Sequence, residues 1–177
     1  NALIMKKIVV FGIIIVLIFG AVLFVAWRDT PRISSLKTKI AASFYIPAEF
    51  ARQIGEDRVD VVSITPAGAE PHEYEPTPKE IADIYSVDLF ILQGGGFDPW
   101  AERLSGDLFA QSAATVSIMD DLALENNDPH IWLDPILAQR EIEIIRDALI
   151  KIDPAGAAFY QENSFEYISA LAVLNEE

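Results

Sequence analysis

The 177-residue chain has two histidines, and both stand in loops stiffened by proline. His72 lies within Gly68-Ala69-Glu70-Pro71-His72-Glu73-Tyr74-Glu75-Pro76-Thr77-Pro78. His130 lies within Asp128-Pro129-His130-Ile131-Trp132-Leu133-Asp134-Pro135. A neutral imidazole is a good ligand for zinc and a usable one for manganese. Two imidazoles aimed at one point would therefore supply part of a metal shell, with carboxylates or residues outside the chain supplying the remainder. A single loop histidine is more often a surface or capping residue than a ligand. It is the pairing, in loops of similar build, that gives the metal reading weight. The chain has no cysteine, so thiolate ligands and disulfides are unavailable.

The neighbouring groups admit two readings each. Glu70, Glu73 and Glu75 form either a solvated acidic loop or a source of acceptors for the far imidazole N–H, which would fix its tautomer. Glu73, Glu75 and Asp134 are the candidates for that role, although Asp134, like Asp98, reads most simply as a helix N-cap. Gly94-Gly95-Gly96 lacks both the Lys-Ser/Thr of a P-loop and the spacing of a dinucleotide fingerprint. Close backbone approach at a cleft rim explains it better. Trp100 and Trp132 read as packing residues, and no nucleophile motif is present.

The elements that must position these loops can be read from local signals. Short apolar runs at 40–45, 59–65, 88–92 and 115–118 read as strands. Pro47 to Ile54 reads as a helix stopped by Gly55, and Thr77-Pro78-Lys79-Glu80 is a capping box with proline at the first helical position. Asp98-Pro99 opens a helix that Gly106 is expected to close. Asp134-Pro135 and Asp153-Pro154 start two more, the last still running at Glu177. Alternation of this kind predicts an α/β fold: a Rossmann-like lobe with a four-stranded parallel sheet flanked by helices. Right-handed crossovers put all strand-to-helix loops on one sheet edge, where ligands of such sheets bind. Both histidine loops and the glycine loop are expected there.

The formal charge is −14, and setting aside Lys6 and Lys7 leaves about −16 on the rest. Such a surface repels phosphate backbones, so no nucleic-acid partner is expected. Ile8 to Trp27 is a run of 20 residues without charge, about 30 Å long as a helix and able to cross a bilayer. With Lys6 and Lys7 inside, it reads as an uncleaved anchor or a signal peptide, and the chain beyond Trp27 is expected outside the cytoplasm. A lipidated anchor, which needs a cysteine after the signal, is not expected.

These motifs, in this order, resemble the zinc/manganese solute-binding proteins of ABC importers, and the likeness runs from about Ile40 to the chain end. The resemblance implies two α/β lobes joined by a long helix, with the metal between them. Beyond the signal or anchor read at 1–27 and a polar tether at 28–39, it assigns 40–152 to the first lobe and 154–177 to the start of the linking helix. It places two metal ligands on His72 and His130, and the third and fourth in a second lobe beyond Glu177, so a truncated product is expected. The implied function is extracytoplasmic (periplasmic) capture of Zn2+, or Mn2+, by a monomer that delivers it to a permease. Two alternatives stand beside it: a surface adhesion or interaction protein, and a zinc-dependent hydrolase with Glu73 as general base.

Overall fold

Strand β3 (Leu89–Leu92) shows how the sheet is held, because all four of its residues are buried. Leu89 and Ile91 point into one apolar cluster, Phe90 and Leu92 into another on the opposite face. Strand β1 (Thr38–Ala42) divides in the same way, with Ile40 and Ala42 on the first face and Ala41 on the second. Side chains alternate along a strand, so continuous apolar runs need cover on both faces. This computed structural model of the chain describes residues 37–111, 114–122 and 128–176. The apolar stretch 8–27 and most of the tether lie outside the described residues. Among the described residues no helix is long and apolar enough to cross a membrane.

Four strands pair in parallel in the order β2-β1-β3-β4, where β2 is Val59–Ser63 and β4 is Ala114–Ser117. Helix α1 (Tyr45–Gly55) contributes Ala48, Ala51 and Ile54 to the first face, at spacings of three and three. After α2 (Pro78–Ile84), α3 (Pro99–Gln111) and the short α4 (Ile118–Leu122) comes α5 (Pro135–Ile152). Its Ile142, Ile145 and Leu149 complete that cluster, together with Tyr160 of α6 (Ala157–Glu176). The second face is closed by Ile84 of α2 and by Trp100 and Ala101 of α3.

Several boundaries differ from the sequence expectation for identifiable reasons. Helix α1 takes in Tyr45 and Ile46, so Pro47 sits in its first turn, where a missing N–H costs nothing. Gly106 does not end α3, which continues to Gln111; an added Cβ there would meet nothing within 4 Å. An exposed helical glycine weakens a helix by about 1 kcal/mol without breaking it. The Thr77 capping box is present as expected: Glu80 N–H donates to the Thr77 hydroxyl at 3.3 Å and Thr77 N–H to Glu80 at 2.6 Å.

Gly55 is needed for a different reason from the one its position suggests. The left-handed residue at this helix end is Glu56, at φ +41°. A Cβ on Gly55 would instead lie 2.4 Å from both Cγ atoms of Val59. Glycine-to-alanine normally strengthens a helix by about 1 kcal/mol. Here overpacking, at about 1–3 kcal/mol, reverses the sign. Gly55→Ala is expected to destabilise the chain by about 1 kcal/mol net, read as a lower urea midpoint with unchanged m.

Candidate metal centre

Each histidine is set by its own turn. The chain leaving β2 folds back through Ala69 N–H to the Pro66 carbonyl at 3.1 Å and Tyr74 N–H to that of Pro71 at 3.4 Å. Within it, His72 N–H donates to the Glu70 carboxylate at 3.3 Å. The far end is pinned by Tyr74, whose hydroxyl donates to Glu80 at 2.9 Å and whose ring meets Trp100 edge-on. On the other loop, Asp128 Oδ1 accepts both the backbone N–H of His130, at 3.0 Å, and its ring Nδ1–H, at 2.8 Å. An aspartate bonding the backbone two residues on is an Asx turn. A single 3-10 turn, Ile131–Leu133, then leads into α5.

The two imidazoles meet. Their Nε2 atoms lie 3.4 Å apart, with ring centroids separated by 5.4 Å. Beneath them is an aromatic floor rather than a polar one. The Phe97 ring is edge-on to both, at 4.3 Å from His72 and 5.5 Å from His130, and Trp132 stands 5.3 Å from His130. Phe97 is itself buried against Phe44 and Trp132. Both imidazoles are exposed, so solvent ions can reach the facing nitrogens.

Electrostatics fix the His130 tautomer. The two N–H groups of His130 hold the Asp128 carboxyl below the usual carboxylate range. Asp128 is therefore an anion that can only accept, so Nδ1 carries the hydrogen and Nε2 of the neutral ring keeps its lone pair. A carboxylate behind a ligating histidine plays this role in metal sites generally.

The residues named from sequence for that role stand elsewhere. Glu75 is paired with Arg103 at 2.7 Å. Asp134 caps α5, accepting from Ile136 N–H at 2.8 Å and Leu137 N–H at 3.2 Å. Glu73 is exposed, and its backbone N–H closes the turn on the Glu70 carbonyl. The carboxylate that serves His130 is Asp128, which the Asp-Pro-His spacing could have revealed as an Asx turn. Asp98 also departs from expectation: its side chain accepts from Gln93 N–H and Gly94 N–H, both at 2.9 Å, instead of capping α3. Burial pushes its carboxyl up, and those backbone bonds oppose the rise. Among the described residues no group of three or more His, Asp or Glu side chains converges as a metal site.

Comparison with known proteins bears on the same stretch. The family model described as ZnuA, zinc-uptake complex component A, periplasmic, matches residues 40–177. The chain belongs to the ZnuA family. A high-affinity zinc uptake system protein ZnuA of Bacillus subtilis is 34% identical over 159 residues, covering 79% of this chain and 50% of the relative. The manganese-binding lipoprotein MntA of Halalkalibacterium halodurans is 37% identical over 142 residues, covering 78% and 47%. Among solved structures, the Zn(II)-bound ZnuA-like domain of Streptococcus pneumoniae AdcA superposes with a TM-score of 0.75 at 33% identity, covering 80% of this chain and 54% of that one. The chain thus spans about half the length of the curated relatives it matches. ZnuA-family proteins bind metals as solutes and are not enzymes, which sets aside the hydrolase with Glu73 as base.

Proposed function

We propose that this ZnuA-family chain binds a divalent transition metal outside the cytoplasm, zinc in preference to manganese, for delivery to an ABC permease. His72 Nε2 and His130 Nε2 are two of the ligands. The observation that carries this reading is their separation of 3.4 Å. Two nitrogens bound to tetrahedral zinc at about 2.0–2.1 Å lie roughly 3.3–3.4 Å apart, so the pair is spaced for one shared ion. The lone pair on His130 Nε2, fixed by Asp128, supports the same reading. Two imidazoles favour zinc over the harder manganese ion, which prefers oxygen donors. Water or further carboxylates complete the shell.

Zinc competition against a chromogenic chelator tests this. One ion per chain is expected near neutral pH. Protons compete for the same lone pairs, so affinity is expected to fall by at least about tenfold between roughly pH 7.5 and 5.5. Manganese run in parallel is expected to bind more weakly. Zinc affinity that does not respond to acid would end the assignment to imidazole nitrogen.

A further inference from the structure

Behind the metal loops lies a buried polar pair that the proposed function does not use. Gln93, just past the end of β3, and Glu141, in the first half of α5, are both 0% exposed. The Gln93 amide nitrogen donates to the Pro129 carbonyl at 3.0 Å and to Glu141 Oε1 at 3.2 Å. The Gln93 backbone is committed as well, its N–H to Asp98 at 2.9 Å and its carbonyl to Met119 N–H at 2.9 Å. One residue therefore ties β3, the start of α3, α4 and α5 to the peptide that precedes His130.

Two atoms of this pair lack partners: Gln93 Oε1 and Glu141 Oε2. Both are acceptors if Glu141 is ionised, so neither can satisfy the other. A single proton on Oε2 changes that, because a carboxylic acid and an amide close a ring of two hydrogen bonds. We propose that Glu141 is held as a neutral acid closed on Gln93, and that this pair positions His130 through the Pro129 carbonyl.

No cation competes for the carboxyl among the described residues. Arg140, its neighbour on α5, pairs with Glu143 at the surface, and Arg146 with Asp147. Asp98 is occupied by backbone N–H groups and Asp128 by His130. On α6, Tyr160 donates to Asp153. Burial accordingly pushes the Glu141 carboxyl up to about 8, offset only in part by the Gln93 hydrogen bond. A buried carboxyl without a cationic partner takes the neutral form rather than leave a bare charge. The positioning half of this inference rests on His130 being a ligand; the protonation half does not.

Glu141→Gln supplies the test, since an amide can close the same ring without a proton. The value in the folded chain lies above the ordinary carboxylate range. Stability from the proton is therefore complete below that range and is lost as pH rises through about 8. Urea unfolding from about pH 5 to 9 is expected to show this decline in the parent chain and not in Glu141→Gln. The Hε1 resonance of His130, one of two histidines, is expected to move as Glu141 ionises in the parent, and that step is expected to vanish in Glu141→Gln. Gln93→Leu is expected to shift the same resonance and weaken zinc binding about tenfold. A decline with pH that survives in Glu141→Gln overturns the neutral acid. A His130 resonance that ignores both the pH step and Gln93→Leu overturns the positioning. If the parent chain binds no zinc, the metal reading fails, while the unfolding and resonance measurements still decide the state of Glu141.

Discussion

Replacing His72 or His130 by alanine is expected to weaken zinc binding about a hundredfold. Zinc held by four protein ligands contributes about 10–16 kcal/mol, so one ligand carries roughly 3 kcal/mol, or two decades in affinity. The facing nitrogens are 3.4 Å apart, and each is supported separately, His130 by Asp128 and His72 by the edge of Phe97. Removing one ring should therefore leave the other in place. Two ligands of one ion are coupled, so the double variant is expected to lose less than the two single losses combined. Both rings are exposed, and urea midpoints should stay close to the parent value. Chelator competition on the three variants reads the outcome. Parent-like affinity in either single variant would remove that residue from the site.

Asp153→Ala is expected to cost about 3 kcal/mol of folding stability, the low end of the range for breaking a buried pair from one side. Asp153 Oδ2 accepts from Arg58 Nε at 3.1 Å, Arg58 Nη2 at 2.6 Å and the Tyr160 hydroxyl at 2.7 Å. The side chains of Arg58 and Asp153 are only 12% and 19% exposed, so alanine would strand a guanidinium and a hydroxyl largely out of water. The packing tolerates little: a Cβ on Gly156 would come within 2.7 Å of Tyr160, Arg58 and Asp153 alike. Burial alone would raise the Asp153 carboxyl, but the Arg58 and Tyr160 hydrogen bonds outweigh it and hold it below the usual range. A lowered folded value means that the contribution is complete above the ordinary carboxylate range and lost as pH falls through the folded one. The gap between parent and Asp153→Ala urea midpoints is therefore expected to be full at neutral pH and to narrow in acid. A constant gap would show that the carboxylate's charge is not what holds this corner.

The parts of this fold that could be read from residues alone are those in which a short stretch states its own structure. The Thr77 box and the Asp134-Pro135 start are local chemistry, and both stand as expected. Four apolar runs alternating with helices were enough to give the parallel sheet. What misled was the assumption that an aspartate before a proline caps a helix. Asp98 is taken by the backbone of Gln93 and Gly94, and Asp153 by an arginine 95 residues away. No local rule announces such a partner. At the candidate metal centre, two histidines following parallel strands were sufficient to anticipate their meeting. Among the carboxylates it was Asp128, only two residues before His130, that took the place expected of Glu73, Glu75 or Asp134. Gln93 and Glu141 gave no signal, since a glutamate within Arg140-Glu141-Ile142-Glu143 reads as solvent-facing until tertiary packing buries it.

Gly94, Gly95 and Gly96 have φ of +76°, +63° and +82° in succession. A Cβ on the first would lie 2.4 Å from the Ser117 hydroxyl and on the second 3.1 Å from Met119. A backbone so wound suits glycine and few other residues. For anyone retuning the proposed metal preference, these three positions are closed to new donor groups. Substitutions aimed at selectivity must come from positions such as Glu70 or Glu73, whose backbone φ is not positive.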